Sequence, residues 1–104
     1  MDQEKFVKRL IELRLNKGVS ARDMSLSLGQ SAGYINNIEN GINYPSMSLF
    51  FYICEYFGIT PEQFFNTIYT NPEKLNKLCD LAKDMSDEQL DILIAVASGF
   101  KKQW

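Results

Sequence analysis

The chain has 104 residues, 45% of them hydrophobic, a formal net charge of −2 and no histidine. That length suits one compact domain, or a small domain with a short helical appendage, and the apolar fraction excludes disorder as the default. Without histidine the commonest general base and the commonest zinc ligand are missing, and no carboxylates or hydroxyls stand in a catalytic spacing. No enzyme, metal or cofactor is therefore expected.

Glycines and capping residues divide the chain into short helices. Residues 3–17 place Phe6, Leu10 and Leu13 on one face, with Val7, Ile11 and Leu15 beside them, and Gly18 closes the helix. Ser20 and Asp23 read as an N-cap and its N3 carboxylate, opening a second helix through Leu28 that Gly29 stops. Ser31 reads as the cap of a third helix, with Ile35 and Ile38 inward, Glu39 near its end and Asn40-Gly41 as its stop. Tyr44-Pro45-Ser46 marks a loop and a fresh cap before a fourth helix over about 47–57, rich in aromatics and closed by Gly58. Thr60-Pro61-Glu62-Gln63 gives a cap, a proline at N1 and a capping-box glutamine for a short fifth helix holding Phe64 and Phe65. The composition shifts near 67–71, dividing the chain into 1–69 and a helical extension over 70–104. In the extension, Asn71-Pro72-Glu73 opens a sixth helix with Leu75, Leu78, Cys79, Leu81, Ala82 and Met85. Ser86-Asp87-Glu88-Gln89 boxes a seventh running towards Phe100. No segment alternates like a strand, so the fold class is all-α.

The longest apolar run, Ile92 to Ala97, falls far short of the roughly 20 residues of a membrane span. The opening Met1-Asp2-Gln3-Glu4-Lys5 lacks the apolar stretch of a signal peptide, so a cytoplasmic protein is expected. Cys54 and Cys79 fit no CxxC spacing and sit in apolar helical patterns, which predicts buried, reduced thiols.

The informative unit is Ser20 to Gly41, in which two short helices meet at a tight glycine-containing turn. This is the layout of a DNA-binding helix-turn-helix, whose second helix enters the major groove. The surrounding residues sharpen it: Arg14, Gly18-Val19-Ser20, Leu28-Gly29, Ser31, Tyr34-Ile35, Ile38-Glu39-Asn40-Gly41, Pro45-Ser46, and Phe57-Gly58-Ile59-Thr60 with Gln63-Phe64-Phe65. Over residues 6–66 the chain resembles the Xre/Cro-like, lambda-repressor-like family of bacterial and phage repressors. The resemblance implies a five-helix domain that binds palindromic operators in double-stranded DNA as a dimer.

It also implies roles for particular positions. Arg14 and Glu39 match positions that commonly form a buried or semi-buried ion pair between the first and third helices. The groove-facing positions would be Ala32, Gly33, Asn36 and Asn37, the steps 32 to 36 and 33 to 37 lying opposite Ile35 and Ile38. Asn37 and Asn36 could pair bidentately with adenine and Ala32 could pack on a thymine methyl, whereas Gly33 can read no base edge. Phosphate-contact candidates are Ser20, Ala21, Arg22, Gln30, Ser31, Asn40, Asn43 and Tyr44. Ala21 stands where the family often has glutamine, so one contact is missing.

Charge argues the other way. Residues 1–69 carry six cations against seven carboxylates, and Arg22 is the only cation between Gly18 and Ser48. Lys17, Arg22 and the cluster Lys5, Lys8 and Arg9 are the candidates to neutralise phosphate, and any binding should be weak or depend on dimerisation. Leu90, Leu93, Ile94, Ala97 and Phe100 recur at three- and four-residue spacing and are candidates for a homodimer contact, the alternative being that this helix merely caps the domain. Two functions stay open: a sequence-specific transcriptional regulator acting on duplex DNA, and a protein-binding module on the same scaffold. No effector-binding unit or small-molecule ligand is evident.

Overall fold

The computed structural model describes residues 1–68 and 71–103. They form seven helices, and no strand occurs among them: α1 (Gln3–Lys17), α2 (Ala21–Ser27), α3 (Tyr34–Glu39), α4 (Met47–Phe57), α5 (Pro61–Phe65), α6 (Pro72–Ala82) and α7 (Asp87–Gln103). No described helix is long and apolar enough to cross a membrane.

Side-chain caps set most of the boundaries. Asp2, Ser20, Ser46 and Thr60 each accept the backbone N–H three residues on, giving α1, α2, α4 and α5 their starts. Thr60 and Gln63 close a full capping box at 3.0 and 3.1 Å, and Ser86 and Gln89 close another before α7 at 3.0 and 3.2 Å. α3 differs from the sequence expectation. Gly33 is its N-cap, with no side-chain cap bond, and Ser31 contributes only its carbonyl, to Tyr34 N–H at 3.0 Å. Ala32 and Gly33 therefore belong to the turn ahead of the helix.

Phe6, Leu10 and Leu13 from α1, Met24 from α2, Ile35 and Ile38 from α3, and Phe50, Ile53, Cys54 and Phe57 from α4 build one core with Ile59 and Phe64. Leu15, grouped with the apolar face of α1 from the sequence, points to solvent. Arg9, by contrast, is buried on α1 with Phe6, Leu10 and Leu13, at 1% exposed. Arg9 does not belong to a surface cluster with Lys5 and Lys8. Its Nε donates to the Phe64 carbonyl at 2.6 Å, its Nη2 to those of Gln63 and Asn66 at 2.7 and 3.1 Å, and its Nη1 to Glu12 at 2.6 Å. A five-residue helix leaves its last carbonyls without partners, and this one guanidinium satisfies three of them from α1.

The chain divides into two compact units, Met1–Glu73 and a second beginning at Lys74. The break predicted between 69 and 70 falls on Tyr69 and Thr70, which lie outside the described residues; Pro72, beyond it, is buried and Glu73 pairs with Lys17. In the second unit no described side chain is buried, and Leu78, Leu81, Ile92, Ile94 and Phe100 are all more than half exposed. Cys79 is exposed there, contrary to the expectation of two buried thiols, because α6 has no packed core to enter. Cys54 is buried, and burial pushes its thiol up to about 11.

Arg9→Met keeps the apolar stem and deletes the guanidinium, leaving the end of α5 unsatisfied. It should destabilise the protein by about 3 kcal/mol, since hydrogen bonds to charged groups are each worth about 1.5–3. Denaturant unfolding measures this; a loss below about 1 kcal/mol would mean that water replaces the arginine.

Candidate nucleic-acid interface

α2 and α3 are joined by a turn that the backbone itself closes. Leu28 N–H donates to Met24 O, Gly29 N–H to Leu26 O and Gln30 N–H to Ser25 O, each at 3.0 Å, with Gly29 in the left-handed region at φ 75°. Ser25 then bridges the two helices. Its hydroxyl donates to the Ala21 carbonyl at 2.7 Å and accepts the Ile35 N–H at 2.9 Å, and both Ser25 and Ile35 are fully buried. An otherwise orphaned N–H of the first turn of α3 is thereby satisfied from α2. The sequence offered no signal for this serine, which sits inside a helix with nothing in its spacing to set it apart.

Ile35 and Ile38 drive α3 onto the core, and that fixes which residues face outward. Asn36 and Asn37 are exposed on the helix, Gly33 is exposed in the turn, and Ala32 is half-buried. Tyr34 is half-buried against the core, which raises its phenol pKa. Past the helix, Asn40 N–H returns to Asn36 O and Ile42 N–H to Asn37 O. Gln3 Nε2 donates to the Gly41 carbonyl at 3.0 Å, tying the start of α1 to the end of the α3 segment. Asn43 Nδ2 donates to the Tyr44 carbonyl at 3.3 Å, and Tyr44 is exposed with its ring edge-on to Phe6 at 5.5 Å.

Arg14 and Glu39 meet in a two-point contact, Nε to Oε2 at 2.7 Å and Nη2 to Oε1 at 2.9 Å, while Arg14 Nη1 donates to the Val19 carbonyl at 3.0 Å. The hydrogen bonds it donates to Glu39 hold the Arg14 guanidinium pKa above its ordinary value. With side-chain exposures of 15% and 9%, the pair sits between surface and core. It joins the end of α1, the approach to α2 and the end of α3.

The remaining candidates are scattered around this unit. Ser20 uses its hydroxyl to cap α2, Ala21 is half-buried against the core, and Arg22 is exposed. Gln30 is half-buried, and Ser31 and Asn40 are exposed. Lys17 is engaged elsewhere: its Nζ lies 3.4 Å from Glu73 Oε2 and 4.9 Å from the centre of the Tyr56 ring. With Arg9 and Arg14 inside the fold, Lys5, Lys8 and Arg22 are the cations of the first unit that stand exposed.

The profile of the helix-turn-helix domain matches residues 7–70, well over half of the chain and spanning α1 to α5. The chain belongs to the helix-turn-helix domain family. That membership supports a DNA-binding role, and α2 and α3, with the tight turn between them, have the layout of the helix-turn-helix. Neither a curated protein nor a solved structure matches the chain.

Removing Arg14 leaves Glu39 half-buried beside the helix-turn-helix without its cation. Because both groups keep some water, Arg14→Ala should cost about 2–3 kcal/mol, below the roughly 3–5 of a fully buried pair. Thermal melting should show the loss, with DNA affinity recovering at temperatures where the variant is fully folded. Weakened binding by a fully folded variant would give Arg14 a direct role at the interface.

Proposed function

We propose that the chain is a transcriptional repressor of the Xre/Cro-like kind that binds palindromic operators as a homodimer. The observation that carries the reading is the outward face of α3: Asn36 and Asn37 stand free of the core between buried Ile35 and Ile38, within the span matched by the helix-turn-helix family. A carboxamide offers a donor and an acceptor side by side, the pattern that pairs with adenine N7 and N6 in the major groove. Ala32 and Gly33, in the turn ahead of α3, let the backbone approach the DNA closely. Arg22, Lys5 and Lys8, with Ser20, Gln30, Ser31, Asn40, Asn43 and Tyr44, supply positioning contacts to phosphate. A dimer so bound represses by occupying the promoter.

Dimerisation is supported by two features. Few cations per subunit make a single domain a weak DNA binder, and two linked half-sites multiply affinity without new chemistry. The second unit leaves Ile92, Ile94, Val96 and Phe100 of α7 exposed, with Leu90 and Leu93 half-buried. An apolar helix surface of that extent is used where another surface covers it. The candidate contact is Leu90, Leu93, Ile94, Ala97 and Phe100, against the same residues of a second copy. The competing reading, a protein-binding module, draws on the absence of any cation on α3 itself.

Asn37→Ala removes the carboxamide and leaves a better helix former, so stability should hold or rise slightly. Operator affinity should fall by about 1–3 kcal/mol, with discrimination relaxed at one base pair. Melting curves and binding to matched and single-mismatch operators decide it. Unchanged binding to every sequence would favour the protein-binding module. Truncation after Glu73, which keeps Pro72 and the Lys17–Glu73 pair, should give a folded monomer with weaker DNA binding. A truncated chain that sediments as a dimer would move the contact into the first unit.

A further inference from the structure

The first unit holds a groove of which the roles above use only Tyr44. It is an open groove of about 520 Å³ among the start of α1, the loop after α3, α4 and α5. Phe6, Tyr44, Pro45, Met47, Phe51 and Phe65 form most of its wall. Tyr44, Met47, Phe51 and Phe65 are 52%, 69%, 51% and 46% exposed, so the fold leaves these apolar side chains in water around the mouth. Two features set the chemistry of an occupant. The rings meet one another at an angle: Tyr44 is edge-on to Phe6 at 5.5 Å, and Phe65 and Phe51 are tilted on Phe50 at 5.4 and 6.1 Å. One more ring can join that cluster in the same edge and tilted geometries. Among the described lining residues Asp2 carries the one charged side chain, a carboxylate that already accepts the Lys5 N–H at 2.9 Å, so the wall offers an anionic ligand no cationic side chain.

Size decides between a molecule and a macromolecule. The volume lies inside the range of about 300–1,000 Å³ of small-molecule sites. The lining surface is a small fraction of the roughly 800 Å² that each partner buries in a stable protein interface. We propose that this groove binds a neutral aromatic small molecule, and that its occupancy weakens DNA binding. Tyr44 is the link, because it lines the groove and lies in the segment that leaves α3. A ring wedged beside Tyr44 displaces it from Phe6 and moves the 42–46 loop, which carries the phosphate candidates Asn43 and Tyr44. The second half of the proposal rests on the reading of the chain as a DNA-binding repressor; the first half does not.

The test uses the full chain labelled with ¹³C at its methionine methyls and titrated with 1-naphthol. The Met47 methyl resonance should shift along a saturable curve, while Met24 in the core stays in place. Phe51→Lys should weaken the Met47 shift at least tenfold. Tyr52→Lys, on the same helix and outside the groove, should leave it unchanged. Should Phe51→Lys fail to fold by circular dichroism, Phe65→Lys takes its place. A Met47 resonance unmoved at millimolar naphthol overturns the site, as does equal loss in the Phe51 and Tyr52 variants. Binding of 1-naphthoate as tight as naphthol overturns the assignment to neutral ligands. With operator DNA present, saturating naphthol should weaken binding at least threefold in the parent and not in Phe51→Lys. An unchanged DNA affinity with the groove filled overturns the coupling. A chain that binds no DNA at all overturns both the repressor and the coupling, and the methyl titration then judges the groove alone.

Discussion

The two-point contact between Arg14 and Glu39 clamps a helix that could not hold itself. α3 has six residues and no side-chain cap, whereas isolated helices shorter than about 12–15 residues are marginal in water. Its orientation therefore comes from its neighbours: Ile35 and Ile38 in the core, Ser25 on the Ile35 N–H, and Arg14 on Glu39 at the far end. These contacts fix rotation about the helix axis, and rotation is what presents Asn36 and Asn37 together. A backbone of this length needs pins at both ends, one at the first turn and one at the last. The pin at the last turn also takes in the Val19 carbonyl, so the approach to α2 is set by the same guanidinium.

The use of arginine inside the fold has a consequence for binding. A guanidinium satisfies several acceptors in one plane, which suits Arg9 at the end of α5 and Arg14 at the end of α3. Each cation so placed is lost to phosphate. Lys17 is drawn to Glu73 and Tyr56 in a similar way, although its lysine stem leaves it partly exposed. Among the described cations of the first unit, Lys5, Lys8 and Arg22 are left exposed, so counterion release would supply little of any affinity this unit has for a duplex. What the fold supplies in place of charge is geometry: a short α3 pinned at both ends.

Helix boundaries were legible wherever a side chain caps its own helix. Ser20, Ser46, Thr60 with Gln63, and Ser86 with Gln89 all stand in local patterns, because the cap and the N–H it satisfies are three residues apart. Ser31 was misread because the same pattern says nothing about whether the backbone bends into the helix at that point; here two turn residues intervene and Gly33 begins α3. Arg9 was misread as surface because composition weighs its charge. Its position was readable, three residues after Phe6 and four before Leu13 on the buried stripe, but the carbonyls that receive it lie more than fifty residues away. Cys79 shows the reverse error: an amphipathic pattern predicts a face to be buried, and nothing in this unit buries it.

The exposed apolar surface of this chain is of two kinds, and shape separates them. On α7 it is a convex helical stripe, and a convex stripe loses its water only against an extended partner surface. In the first unit it is a concave groove walled by rings that already contact one another, where a single small ring finds several neighbours at once. In the proposed function, a stripe covered by a second copy sets the number of half-sites engaged, and so would act on DNA affinity as a whole. A ligand in the groove beside Tyr44 would act instead on the loop that leaves α3, within one subunit. The two proposals reach α3 by different routes, one through effective concentration and the other through the backbone that follows the helix.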